Sequence, residues 1–486
     1  GLGKIADWWI PITPGSDGAL ALAILKMIIS SGRYDHEFVE KYTRGFEEFK
    51  TYLDTQTMEQ LSKWCGISVT DIEKLTDIFC STAKIPLVAY TGLEYQLSAI
   101  QNNRAIFVLW AITGKLDAPG AIYLNAKGLE TPKLFEIPED DKPIGVDEFP
   151  LFYKFSGQGQ FSRFPKAVLE DEPYPVRGLM ILGGSPVLSF PDSKSWREAY
   201  KKLDCLIVLD RYFTEDARYA DVVFPACSLF EVPKAVPGPE GPHIVEPLIE
   251  PVGESKNDVL IMGAIAKKLG FGDKLPQTEE ELRSWLLSGT APYAGDFGTS
   301  ADQKKEKHYK KYETGELRAD GKPGFPTPSG KLEICSTILE ENGFVPYPEY
   351  KDVRSIPELA GKEYPFTMTS GARSNNRMGV FGANLDKIAE IEPYPFVDIN
   401  AEDAKEIGIE DGDMVKVITP FADGTFKAKI RGIARHAIHI PHGGGSAYMT
   451  EPWKNGNVND LCSLDYADPM TGFVLIKSVP CRVEKI

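Results

Sequence analysis

Cysteine is scarce in this sequence: seven in 486 residues, an odd number. Cys65, Cys80, Cys205, Cys227, Cys335, Cys462 and Cys481 include no C-x-x-C and no ligand-spaced pair. That argues against a disulfide framework, and against a zinc or iron–sulfur site built from these residues alone. Cys205, inside Leu203-Asp204-Cys205-Leu206-Ile207-Val208, reads as a small buried hydrophobe. Long apolar runs are also missing. The longest, Ala105–Ile112, has the length of a core helix and falls far short of the roughly 20 residues of a membrane span. Positive charge is in deficit, with Lys plus Arg 54 against Asp plus Glu 70 and a net charge of −16. Such a chain is a poor match for nucleic acid or anionic lipid, although a local basic pocket remains open. There is no Walker lysine motif and no H-E-x-x-H among the six histidines. His436, His439 and His442 are close in sequence, but the first two flank a strand, which disfavours a three-histidine metal site. Methionine is absent from the first position. Gly1 leads directly into Ile5-Ala6-Asp7-Trp8-Trp9-Ile10-Pro11, so the expectation is a piece of a longer polypeptide or the product of a split gene.

What is present is an ordinary globular composition, 42% hydrophobic and 26% charged, enough for about three domains at roughly 150 residues each. Asp17–Ser31 predicts a helix behind the turn Thr13-Pro14-Gly15-Ser16. Ile85–Tyr90 predicts a buried strand ending at Thr91-Gly92, followed by a helix over Ala99–Ile112. The middle repeats this unit: strand Gly178–Leu182, helix Ser195–Leu203, strand Leu206–Leu209, strand Val222–Phe224 and helix Val259–Leu269. Uninterrupted apolar strands of this kind suit a parallel sheet buried on both faces. Residues 271–360 read as a solvated connector with a lysine-rich run at Gln303–Tyr312. Beyond Tyr364 short strands alternate with turns, at Phe366–Thr369, Phe396–Ile399, Met414–Ile418, Thr425–Ile430 and Ala437–Ile440. With one helix at Ala401–Ile407 and a hairpin-type turn at Glu410–Asp413, they predict a barrel. The expected units are therefore 1–125 (α/β), 126–270 (α/β), 271–360 (connector) and 361–486 (β-barrel).

Two motifs fail on inspection. Gly157-Gln158-Gly159-Gln160-Phe161-Ser162 lacks the third dinucleotide glycine and any preceding strand. Gly183-Gly184-Ser185-Pro186-Val187 lacks the last glycine of a nucleophile elbow. What survives is a set of turns at strand ends: Gly15-Ser16-Asp17, Thr91-Gly92, Gly183–Pro186 and Leu209-Asp210. In open α/β sheets ligands bind outside such ends, where glycine admits phosphate and Asp accepts from ribose or guanine donors. The same residues also serve turns for backbone reasons alone.

The stretch Ala6-Asp7-Trp8-Trp9-Ile10-Pro11-Ile12-Thr13-Pro14-Gly15-Ser16-Asp17 resembles a segment of the DMSO reductase family of molybdopterin oxidoreductases. Leu209–Ala217 with Ala220–Ala226, Phe325–Lys331 and the tail from Asn457 to Val483 are similar to further family segments, in order, over nearly the whole chain. The resemblance implies two Rossmann-like parallel-sheet domains and a C-terminal double-psi-type β-barrel. It implies two molybdopterin guanine dinucleotides with Mo or W. Carried over residue by residue, the cofactor contacts would be Gly15, Ser16, Asp17, Gly92, Tyr95, Gln96, Leu209, Asp210, Asp258, Thr369, Ser370, Gly371, Arg373, Asn459 and Lys477. Ser185 stands where members often have Asn, which weakens its transfer.

Neither the Cys-rich [4Fe–4S] motif nor the residue that ligates the metal is found here. The resemblance puts both in a preceding segment, and adds an Fe–S electron-transfer subunit as a partner. His442, in Pro441-His442-Gly443-Gly444-Gly445, is the candidate polar group near a substrate funnel, with turn support as its alternative. The implied activity is two-electron redox or atom transfer on a small substrate. A non-redox hydratase and a cofactor-less structural relative of the large complex I peripheral-arm subunit are the alternatives. The expectation is a soluble protein, with cytoplasm and periplasm equally open.

Overall fold

The computed structural model describes residues 2–124, 142–236, 242–288, 308–372, 374 and 385–486. Its organising element is α1 (Asp17–Ser30), apolar on nearly all sides and buried over most of Ala19–Ile29, with Leu20, Lys26 and Met27 half-buried. An all-round apolar helix must be enclosed. Here α2 (Phe46–Thr55), α3 (Met58–Cys65), α4 (Val69–Ser81) and α5 (Ala99–Ile112) enclose it. Leu22, Leu25 and Ile28 are fully buried in that core, each burial favouring the fold by about 1.5–3 kcal/mol. Ser16 stands at the helix start, but its hydroxyl donates back to the Thr13 carbonyl (2.7 Å) and does not cap.

The strand expected at Ile85–Tyr90 is not formed. Val88 is 90% exposed and Tyr90 82%, and no described strand lies alongside to take up their backbone groups. Among the described residues this first unit is helical. Its strand pairing among the described residues is the two-residue parallel match of Thr43-Arg44 with Leu332-Glu333, beside an isolated bridge between Leu116 and Ile122.

That pairing corrects the reading of 271–360 as a solvated connector. Ile334 is buried in the α1 core, and Tyr312, Leu317 and Phe325 form a second core with Phe38, Ala111 and Leu116. Lys311, from the lysine-rich run, is buried against Asp117. Residues 303–307 of the run lie outside the described residues.

In the middle, β1 (Gly178–Leu182), β2 (Cys205–Asp210) and β3 (Val222–Pro225) form a parallel sheet in that order. Helix α6 (Ser193–Lys202) lies between the first two strands and packs Trp196, Ala199 and Tyr200 into their core. Helix α7 (Asp258–Lys268) follows β3 in the chain. The sheet is not buried on both faces: Leu182, Cys205 and Val222 are exposed, so the apolar run overstated their burial.

The C-terminal unit is a closed six-stranded barrel. Its strands are β4 (Phe366–Ser370), β5 (Phe396–Asn400), β6 (Met414–Ile418), β7 (Asp423–Arg431), β8 (Ala437–Ile440) and β9 (Val479–Lys485), with α8 (Ala401–Glu406) after β5. Around the barrel they run β6-β7-β5-β8-β4-β9, with β7–β5 and β8–β4 parallel and the other pairs antiparallel. Alternate residues such as Val397 and Ile399, or Val415 and Val417, fill the interior. Glu410–Asp413 is not a hairpin. It joins α8 to β6, with Asp413 Oδ2 accepting from the Glu410 amide (2.8 Å), and the β6–β7 hairpin turns at residues 419–422. Among the described residues no helix is long and apolar enough to cross a membrane.

Candidate functional site

Residues from opposite ends of the chain meet where the N-terminus of α1 faces the barrel. Gly15 has φ +91°, and a Cβ there would lie 2.7 Å from Cβ and Oγ of Ser478. Glycine is therefore required on two counts, conformation and contact. Gln96, buried beside it, donates to the Gly92 carbonyl (2.6 Å) and faces Asp17 Oδ2 (3.4 Å). It also accepts from Asn102 Nδ2 (2.8 Å). Burial raises the Asp17 carboxyl above its ordinary value, with the Gln96 contact opposing. Beyond Gly92 there is open space.

The barrel contributes Ser370, Gly371 and Lys477. Lys477 donates through Nζ to the Ser370 carbonyl, and a Cβ on Gly371 (φ +96°) would lie 2.5 Å from that ammonium. Tyr95 stacks on Phe473 with centroids 5.3 Å apart, and its carbonyl accepts from the amides of Ile476 and Lys477. Thr369 lies beside His439 in the β4–β8 register. Among the described residues no carboxylate forms an ion pair with Lys477, and burial lowers its pKa, Glu94 opposing. The Oγ atoms of Ser370 and Ser478 and the Oδ1 of Asn102 are buried with no hydrogen-bond partner.

A second group gathers at the sheet ends. Leu209 is buried and its carbonyl accepts from Gly183 N (2.8 Å); Asp210 Oδ1 accepts from Tyr212 N (2.9 Å). Asp258, in the first turn of α7, is near enough to Asp210 that burial and the neighbouring charge both raise its pKa, Arg211 opposing. Its Oδ1 is buried without a partner. Such orphaned acceptors are costly unless a donor arrives.

Three further candidate residues, Ser185, Asn459 and His442, make hydrogen bonds within the chain. The Ser185 hydroxyl is committed to Asp216, which also accepts from Tyr200 OH (2.8 Å) and Val187 N (3.1 Å). Asn459 Nδ2 donates to the Leu188 carbonyl (2.7 Å), tying the barrel to the middle unit. His442 is half-buried in the loop after β8, its amide donating to Ala372 O (3.1 Å). Arg373 lies outside the described residues. Sequence reasoning missed Ser478 and Asn102. Asn102 lies within the polar run Gln101–Arg104 of its helix and nothing local singled it out, nor did anything local mark Ser478.

Residues 3–268 match the molybdopterin oxidoreductase family, and residues 367–480 match the molybdopterin dinucleotide binding domain. The chain belongs to the molybdopterin oxidoreductase family. It is 29% identical to the probable oxidoreductase YoaE of Bacillus subtilis, over 100% of this chain and 69% of that protein. It is 26% identical to acetylene hydratase of Syntrophotalea acetylenica, over 90% of the chain and 64% of the relative. It is 28% identical to the F420-dependent formate dehydrogenase subunit alpha of Methanocaldococcus jannaschii, over 90% and 65%. The chain thus spans about two-thirds of these relatives' lengths. The solved structure of acetylene hydratase from Pelobacter acetylenicus shares the fold with a TM-score of 0.80 at 22% identity, covering 100% of this chain and 72% of that one.

The residues present fit a bis-dinucleotide cofactor. A buried ammonium without a carboxylate suits phosphate or a pterin oxygen, unpaired hydroxyls can donate or accept, and paired carboxylates accept from guanine N–H groups.

Proposed function

We propose that this chain is the cofactor-holding portion of a molybdenum or tungsten bis-pterin oxidoreductase catalytic subunit, acting on a small substrate. The observation that carries this reading is Lys477, buried on the Ser370 carbonyl with no carboxylate partner among the described residues, in a region where the hydroxyls of Ser370 and Ser478 are also unpartnered. A chain that kept the fold and discarded the cofactor would gain nothing from those unmet polar groups. Lys477 binds an anionic oxygen, Gln96 and Asn102 orient the edge beside Gly92, and Asp17 accepts from an N–H donor. Asp210 and Asp258 take the guanine donors of a second dinucleotide, at the carboxyl ends of strands where such ligands bind. Gly92, with open space beyond it, admits the ligand to the backbone, while Gly15 and Gly371 make room for Ser478 and the Lys477 ammonium. Tyr95 and Thr369 belong to the same pocket, and Leu209 floors the other; Arg373 stays a sequence-based assignment outside the described residues. When bound, the metal held by the dithiolenes supplies the electron or atom transfer, and the protein supplies binding, orientation and exclusion of water. No residue of this chain is assigned as metal ligand.

The barrel, with two parallel pairs among its six neighbours, is read as double-psi-type. The division at 125, 270 and 360 is kept, with residues 308–350 packed onto the first unit. An iron–sulfur subunit remains the proposed electron partner. Similarity to acetylene hydratase over 90% of the chain supports a second reading, non-redox hydration with the same cofactor.

The test is to isolate the protein natively, quantify Mo and W by mass spectrometry, and assay guanine and oxidised-pterin fluorescence after denaturation. Two pterins per metal supports the enzyme readings; no pterin and no metal sinks both. A stoichiometric change in metal oxidation state on turnover separates redox chemistry from hydration.

A further inference from the structure

The loop after β8 passes through Gly443, Gly444 and Gly445 at φ +134°, +99° and +93°. Three consecutive glycines in the left-handed region have no side chains to hold their shape, so neighbouring contacts must set it. At its start the His442 amide donates to Ala372 O (3.1 Å), next to the Ser370–Gly371 turn that holds Lys477. At its far end the Ala447 amide donates to Glu215 Oε2 (2.9 Å). Glu215 is almost fully buried and lies beyond the end of β2, five residues past Asp210. Its Oε1 pairs with Arg218 Nη1 (2.9 Å) and lies 3.9 Å from Arg197 Nε. Arg197 Nη2 in turn reaches the Gly445 carbonyl at 3.5 Å. Phe213 and Tyr448, both exposed, meet edge-on across the same junction at 5.6 Å.

One carboxylate thus links the strand end carrying Asp210 to the loop that abuts the Lys477 pocket. We propose that Glu215 is a positioning residue, holding the Gly443–Gly445 loop and setting how the barrel pocket faces the Asp210–Asp258 pocket. This rests on reading both pockets as dinucleotide sites. Glu215 touches neither pocket's ligand groups. It acts through the Ala447 amide and the Arg197 contact. A buried, charge-assisted hydrogen bond is strong enough to order a loop with no side chains of its own.

The test uses the full-length, natively isolated protein in three forms: wild type, Glu215→Gln and Glu215→Ala. Hydrogen exchange of the amides at 445–447 reads the loop, and the electron paramagnetic resonance signal of the partly reduced metal reads the cofactor geometry. Glu215→Gln keeps an acceptor for Ala447 N, so exchange stays within about threefold of wild type and the signal keeps its position. Glu215→Ala raises exchange by about tenfold or more and shifts the signal. Unchanged exchange in Glu215→Ala overturns the proposal, as does faster exchange with an unshifted signal. Equal loss of protection in both variants also overturns it, because that assigns Glu215 to folding of the junction. A wild-type protein without guanine or pterin sinks the functional reading instead. Exchange at 445–447 then still decides whether Glu215 holds the loop.

Discussion

Lys311 places Nζ 2.6 Å from Oδ1 of Asp117, with the lysine side chain 2% exposed and the aspartate 0%. The Asp117 carboxylate also accepts from the amides of Lys311 (2.7 Å) and Leu124 (3.1 Å). This buried pair fastens residues 308–325 to the helical unit. Breaking such a pair by removing one partner leaves an uncompensated charge, which costs about 3–5 kcal/mol. Lys311→Met is expected to lose that much in urea unfolding. The double variant Lys311→Met with Asp117→Asn is expected to recover a large part of it. Asn tolerates the positive φ of 51° at 117 and still accepts from the Leu124 amide.

Gly15→Ala forces a Cβ into Ser478 at φ +91° and is expected to cost about 1–3 kcal/mol. Gly371→Ala carries the same kind of φ strain at +96°, but its close contact is with the movable end of Lys477, so it is expected to cost less stability and to weaken cofactor retention more. Thermal unfolding of the cofactor-free chain, set beside the guanine content of the native isolate, separates the two effects.

Burial raises the Asp17 carboxyl above 3.8. Between 3.8 and the raised folded value, the folded chain holds a proton that the unfolded chain has released. Stability therefore falls as pH rises through that window and levels off above it. Asp17→Asn is expected to match wild type below 3.8, to be the more stable cofactor-free protein at pH 7, and to retain less guanine. Urea midpoints measured across the pH series check the sign.

Lys477→Met is expected to weaken cofactor retention by about 1.5–3 kcal/mol, the value of a hydrogen bond to a charged group. That corresponds to roughly ten- to hundred-fold in affinity. In wild type, burial lowers the Lys477 pKa below 10.5, so loading of cofactor-free protein is expected to decline as pH rises through that lowered value. Loading of Lys477→Met should lack this decline. A pH series of guanine uptake measures both.

Within single elements the sequence was informative. Ala99–Ile112 and Met414–Ile418 form the expected helix and strand, and α1 begins at Asp17 as the turn before it indicates. Apolar runs and glycine turns act over a few residues, so a few residues are enough to read them. The run at Ile85–Tyr90 misled because a strand needs partners, and apolarity alone cannot supply them. The lysine-rich run misled in the opposite direction, since Lys311 is buried by an aspartate 194 positions away.

The sequence by itself determined α1 and the helix over Ala99–Ile112, the three strands of the sheet, five of the six barrel strands, and the ordered motifs that mark the family. Only the tertiary structure brought Gly15 against Ser478, set the Lys477 ammonium on the Ser370 carbonyl, and spent the Ser185 hydroxyl on Asp216. The physical reason is that periodicity and turn chemistry are local, whereas burial and hydrogen-bond satisfaction depend on which distant residues arrive at the same place.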